Sequence, residues 1–489
     1  MASNRSIDLD RRLFVGLFGV TLTVGLLVGV IVSLGSDLVK IAVALCAGIL
    51  FFVLAFMKPK AVLLIIGFII PLEKFGVLGV GPIESITVAK ALGLLLFISV
   101  VVRSIVRRRP IITKMNSLDF SVIIYIIGAV IPSLFRLLLN DSYTTDILFL
   151  TVVISYISLL AFYLVVRSLC DTQLLDKLWR AVLFGFLLST AISLTPLGME
   201  VIDGVASRAS GGFIEENNAG LNSLIALAIG IWLAFTSRRK KTQLFGILLA
   251  GASLMLVVRS FSRGAAVGLA VLLILFPVIL SKERKSLALS KKKIFWRATL
   301  ILSLSVSAVL VSMLITNMSP SRYWERIVTI ANVNTDASID SRLAAWKIGL
   351  QLFQLSPVFG TGIGSIPVFS VDMLPTRLVK IGVISIGSHN TYISILAESG
   401  LVGLLPFVAM LVLSFKAFLL SGRSPGSINK ALFIGLGAFL VGAVFLDSRT
   451  EKLFYLLIAS AGVIVSIADK ALSDRNMGFK KLKIVRTSR

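Results

Sequence analysis

Long uninterrupted apolar runs are the feature that most constrains this chain. Residues 13–34 and 264–281 each hold no charged side chain. In hydrocarbon every backbone N–H and C=O has to be satisfied within its own segment, so such a run becomes a helix. A helix crosses a core of about 30 Å in about 20 residues. Composition agrees: 57% of the chain is hydrophobic and 15% charged, against about 45–50% and about 25% in soluble domains.

Fourteen segments read as spans: 13–34, 38–57, 61–77, 86–106, 118–138, 147–167, 178–196, 219–236, 243–258, 264–281, 298–316, 392–419, 431–446 and 453–469. The third is the weakest, because Pro71, Glu73 and Lys74 interrupt it. Arg5, Arg11 and Arg12 precede the first run, which is too long for a signal h-region and has no small-residue cleavage site after it. It reads as a retained first helix. The expected fold class is all-α, a polytopic helical membrane protein of about 14 transmembrane helices. One large extracytoplasmic loop, 317–391, contains amphipathic helices. The expected organisation is transmembrane helices 1–11 over 1–316, the loop over 317–391, helices 12–14 over 392–469, and a basic cytoplasmic tail over 470–489.

The formal net charge of +25 fits either nucleic acid or the inside bias of membrane proteins. With both termini in the cytoplasm, 34 of the 49 lysines and arginines fall in eight cytoplasmic segments. This is the positive-inside pattern. Charge spread over eight loops forms no basic face, so no nucleic-acid partner is expected. Cys46 and Cys170 lie in or beside apolar runs and offer no disulfide framework.

A loop of 75 residues in a compact membrane protein is functional as a rule. Inside it, Asp340 and Ser341 supply N-cap chemistry. Leu343, Trp346, Leu350 and Phe353 follow at helical spacing, and Pro357, Gly360, Gly362 and Gly364 end the helix. One apolar face on the outer side predicts a helix lying in the membrane interface.

Arginine on the outer side opposes the topology signal and is a site hypothesis by default. Arg208 lies in Ser207-Arg208-Ala209-Ser210-Gly211-Gly212-Phe213, with Asn217 and Asn218 beyond. Arg259 and Arg263 flank Ser260-Phe261-Ser262, and Arg322, Arg326 and Arg342 lie in the loop. The planar guanidinium fork suits phosphate oxygens. The simpler reading, an anchor snorkelling to headgroups, is preferred for Arg322, Arg326 and Arg377.

His389 is the only histidine in the chain and opens Ser388-His389-Asn390-Thr391-Tyr392. Imidazole titrates near neutral pH, which suits proton transfer. Below it Thr391, Ser394 and Glu398 align on one helical face. For Glu398 alone, a helix-packing hydrogen bond, to an arginine for example, is the simpler role. No Cys/His cluster or outer carboxylate pair suggests a metal or another cofactor. Gly360-Thr361-Gly362-Ile363-Gly364 looks like a phosphate loop but lacks a preceding strand, so no nucleotide site is expected.

Three segments together resemble the O-antigen ligase superfamily of O-antigen ligases, polysaccharide polymerases and protein O-oligosaccharyltransferases. They are the run from His389 and Asn390 through Tyr392 and Glu398 to Gly400 and Gly403, then Ser341-Arg342 with Trp346 and the glycines 360–364, then Ser262-Arg263-Gly264. Arg208 to Asn218 looks like a further element. The resemblance implies an inner-membrane glycosyltransferase of a bacterial cell. It would take an undecaprenyl-diphosphate-linked glycan donor and a glycan, lipid or protein acceptor at the outer face, among membrane lipids. It implies that Arg263 and Arg342 bind the diphosphate and that His389 acts on the acceptor. Arg208, Asn218, Trp346, Asn390, Tyr392 and Glu398 would contact substrate. A multi-pass transporter or flippase is the alternative, for which inverted repeats would be expected; none is visible by eye. A scaffold would leave the outer arginines and His389 unexplained.

Overall fold

The computed structural model describes residues 37–76, 87–108, 110–112, 114–138, 147–202, 205–283, 290–315, 337–380, 383, 385–421 and 427–487. The expected first span, 13–34, and Arg322 and Arg326 lie outside them. The described chain is almost entirely helical, in the order α1 (Asp37–Met57), α2 (Pro59–Ile69), α3 (Val88–Val106), α4 (Ser117–Leu138), α5 (Ile147–Leu169) and α6 (Thr172–Ile192). A hairpin of β1 (Met199–Ile202) and β2 (Val205–Ala209) interrupts the series. Then come α7 (Glu216–Thr236), α8 (Lys240–Arg259), α9 (Arg263–Glu283), α10 (Lys291–Ile315), α11 (Ala337–Leu355), α12 (Ser365–Met373) and α13 (Thr376–Lys380). The series closes with α14 (Thr391–Ser421), α15 (Asn429–Gly442) and α16 (Lys452–Thr487).

Among the described residues eight helices are long and apolar enough to cross a membrane: α3, α4, α7 to α10, α14 and the first part of α16. Apolar stretches at Ala47–Met57, Val153–Leu169 and Asn429–Phe445 are shorter. The protein is an all-α, multi-pass membrane protein. The third expected run is helical only over Pro59–Ile69, about 16 Å at 1.5 Å per residue. Pro71 has no N–H to continue the ladder, and Ile70–Gly76 tightens into a 3-10 turn.

One apolar core runs through the helices, with Trp232, Tyr125, Phe407, Phe439 and Phe454 among its largest buried members. A small second core of Ala345, Ile348, Leu352, Ile366, Ile386 and Ala397 joins α11 and α12 to the top of α14. A buried ion pair lies inside the bundle. Arg167 grips Asp119 through two bonds of 2.6 and 2.7 Å, and Tyr163 donates to the same carboxylate at 2.6 Å. Both charges are nearly inaccessible, and a buried ion needs such full pairing to persist.

The loop helix differs from expectation. It is already helical at Ala337, so Asp340 and Ser341 sit in its first turns and are not the cap. Its packed face is Ala345, Ile348, Gly349 and Leu352 against α14, whereas Leu343 and Leu350 of the expected stripe are exposed. Ala345 and Gly349 permit the close approach to α14, and Ile348 and Leu352 fill the space beside them. Leu343 and Leu350 are left on the outward face. Arg377 pairs with Asp340 at 3.2 Å on the surface.

Candidate functional site

The site is assembled from four separate segments. The first is the hairpin. β1 and β2 pair antiparallel, with Glu200 opposite Arg208. Arg208 reaches off the sheet: its Nε donates to the Ser260 carbonyl at 3.0 Å and its guanidinium to Asn217 Oδ1 at 2.8 Å. Glu216 Oε2 lies 3.7 Å away. Fully buried Arg259 contacts Met199 Sδ on β1 at 3.3 Å. The hairpin is thereby fastened to the turn joining α8 and α9.

That turn is the second segment. Phe261 adopts φ +49°, a left-handed conformation uncommon for a bulky residue. Ser262 Oγ then accepts from the Ala265 amide at 3.3 Å and starts α9 with Arg263 in its first turn. Gly264 allows this placement. A Cβ there would lie 2.7 Å from the Gly442 carbonyl oxygen and 3.2 Å from Phe445. The close approach of α9 to α15 fixes the depth of Arg263.

The third segment is α11 with the glycines after it. The Gly362 and Thr361 amides donate to the carbonyls of Glu398 and Ala397 at 2.9 and 2.8 Å. In return the Leu401 and Val402 amides donate to Pro357 and Val358, each at 3.0 Å. This exchange breaks α14 at Gly400, which has φ +58° and ψ −155°. Side chains are excluded there, because a Cβ on Gly400 or Gly360 would strike the opposing backbone. The glycine run is thus a backbone clamp that locks α11 against α14. It sets Arg342, two turns before Gly349, relative to His389.

The fourth segment carries His389. Its φ of +46° marks a strained backbone, of the kind that clusters at functional sites. Neighbours on both sides hold it. The Trp346 indole N–H donates to the Ser388 carbonyl at 3.1 Å. Asn390 Oδ1 caps α14, accepting from the Tyr392 and Ile393 amides at 2.9 and 3.0 Å. Tyr392 Oη donates to the Leu440 carbonyl on α15 at 2.7 Å. Beneath it, Arg449 on the α15–α16 connection binds Glu398 at 2.5 Å and Asp447 at 3.0 Å. Ser394 donates to Asp447 Oδ2 at 2.8 Å.

Electrostatics tie the segments together. Arg342 is pushed below the ordinary guanidinium range, first by burial and then by the nearby charges of Arg263 and Arg208. Three guanidinium groups therefore share one region, and among the described residues no carboxylate pairs with Arg342. An arrangement that repels itself is one that an anion would relieve. His389 is open on one face, while the protein packed round the rest of it disfavours the imidazolium. Arg342 also lowers its pKa, and Asp447 opposes both effects.

Arg208, Arg263, Arg342 and His389 are brought together, although they are up to 181 residues apart in sequence. Asn218 lies beside Arg208's partner Asn217, and its buried Oδ1 has no hydrogen-bond partner among the described residues. Trp346, Asn390, Tyr392 and Glu398 each use a side-chain polar atom to hold the protein together. Sequence reasoning missed Asp447 and Arg449. Their signal was present, as a charged cluster, Asp447, Arg449, Glu451 and Lys452, between two apolar runs on the arginine-bearing side.

Residues 248–408 match the family model described as O-antigen ligase. Over this segment, about a third of its length, the chain is similar to the O-antigen ligases. The matched segment begins within α8 and ends in α14, so it contains Arg263, Arg342 and His389 together with the glycine clamp. Arg208 on the hairpin and Asp447 and Arg449 lie outside it. No curated protein matches the chain. The match supports a glycan-transferring enzyme of the ligase or polymerase type in a membrane.

Proposed function

We propose that this protein transfers a glycan from an undecaprenyl-diphosphate carrier to an acceptor hydroxyl at the extracytoplasmic face of a bacterial inner membrane. The observation that carries the reading is the convergence of Arg208, Arg263 and Arg342 beside the chain's only histidine. In the reaction the acceptor oxygen attacks the anomeric carbon, and the bond from that carbon to the diphosphate oxygen breaks. His389 takes the hydroxyl proton, and undecaprenyl diphosphate leaves with the electron pair. Negative charge grows on the leaving oxygen, where fixed guanidinium groups stabilise it most. The lipid carrier reaches such a site sideways through the membrane, which accounts for reactive groups at the ends of spanning helices. Asn218 accepts from a sugar or acceptor hydroxyl, a role supported by its buried oxygen, which has no partner among the described residues.

The test is reconstitution in vesicles with purified undecaprenyl-diphosphate glycan and separate candidate acceptors: a lipid A core, a non-reducing glycan end, and a serine-bearing protein. Transfer to one acceptor with release of undecaprenyl diphosphate is the expected result. Arg263→Ala and Arg342→Ala should each lower turnover by about 10²–10³-fold, the usual loss for a group that stabilises developing charge. Movement of intact carrier across the bilayer without its cleavage would replace this reading with that of a flippase.

A further inference from the structure

Asp447 stands outside the family match and outside the residues used so far, yet it is built into the site from three sides. It lies on the connection between α15 and α16. Thr391 Oγ1 donates to the Leu446 carbonyl at 2.8 Å, and the Ser448 amide donates to Thr391 Oγ1 at 2.9 Å. These bonds fasten that connection to the first turn of α14, two residues from His389. Ser394 and Arg449 both donate to Asp447 Oδ2. Oδ1 is buried and has no hydrogen-bond partner among the described residues. A buried, unpartnered carboxylate oxygen costs free energy and calls for an explanation.

The charges facing His389 supply one. From α11 comes the cation Arg342, and from the α15–α16 connection comes the anion Asp447. Burial and Arg342 both resist formation of an imidazolium. A base that has just accepted a proton between them would be unstable without a counter-charge. Resting on the reading of His389 as the base, we propose that Asp447 is its positioning residue. The carboxylate is held by Ser394 and Arg449 so that its free oxygen faces the imidazolium formed during transfer and stabilises it. The opposed charges divide the labour. Arg342 keeps His389 neutral before reaction and serves the diphosphate; Asp447 makes the proton's arrival tolerable.

The chain has one histidine, so 15N-histidine labelling of full-length protein carrying a histidine-free tag yields one imidazole to titrate. Asp447→Asn keeps the shape and the acceptor for Ser394 and Arg449 but removes the charge. The imidazole midpoint is expected to move to lower pH, with kcat falling by about tenfold or more. The acid limb of kcat/KM should move down by the same amount. Asp447→Ser gives the same direction and serves where the Asn variant is not recovered folded. A kcat loss with an unmoved midpoint would show that Asp447 only braces the fold and overturns the proposal, as would full activity in either variant. Failure of the base reading is separate: it shows as wild-type turnover in His389→Ala, whatever the midpoint in the Asp447 variants.

Discussion

Arg449 donates to Glu398 across a distance of 2.5 Å, joining the α15–α16 connection to the middle of α14's upper half. The Glu398 carbonyl meanwhile holds the Gly362 amide, so one residue fixes two of the four segments of the site. The ion pair is buried on both sides. Removing one partner of such a pair costs about 3–5 kcal/mol, because the other charge is left unpaired. Glu398→Ala is expected to lower the thermal unfolding midpoint in detergent by that equivalent. Adding Arg449→Met to it should recover part of the loss. Additive losses in the double variant would contradict direct pairing.

Gly400→Ala tests the backbone clamp. An alanine there meets a backbone conformation essentially reserved for glycine and strikes the Val358 carbonyl. The strain costs about 1–3 kcal/mol before the collision is counted. We expect loss of transfer to exceed loss of folded protein, because Arg342 is displaced from His389 first. Equal losses in activity and in melting would mean that the clamp only stabilises.

Asn390 offers a sharper distinction. Its side chain caps α14, a role that Asp and Ser also fill, while Ala costs about 1 kcal/mol. Asn390→Asp and Asn390→Ser are therefore expected to keep most of the transfer rate, and Asn390→Ala to lose stability. Equal inactivation by all three substitutions would assign Asn390 to the substrate.

The pH dependence follows from the surroundings of His389. Its pKa lies below the ordinary imidazole value because of burial and Arg342. As a base it has to be neutral, so activity is present above that lowered pKa and is lost as pH falls through it. The acid limb of kcat/KM is expected below pH 6.5, the ordinary value for imidazole. A limb at or above that value would contradict His389 as the group reported.

Membrane insertion was legible from the sequence because lipid imposes a local rule: each spanning segment has to be apolar and satisfy its own backbone. The same rule made Arg208, Arg263, Arg342 and His389 conspicuous, since every polar residue near such segments needs a reason. The local rule says nothing about partners. Arg449 and Glu398 are 51 residues apart, and nothing in their spacing announces the pair. The β-hairpin under Arg208 was hidden in a short stretch whose pairing satisfies backbone groups without a long alternating pattern. The packed face of α11 was misjudged because helical spacing admits more than one apolar stripe, and the contact with α14 selects the one in which Ala345 and Gly349 allow close approach beside Ile348 and Leu352. The glycines at 360–364 looked like a phosphate cradle, and the fold uses their backbone to break α14 at Gly400. The sequence by itself thus determined a multi-pass membrane protein and the polar residues that stand out of place among its apolar segments. Only the tertiary structure decided which of them share a site and which act as braces, because that depends on contacts between segments far apart in the chain.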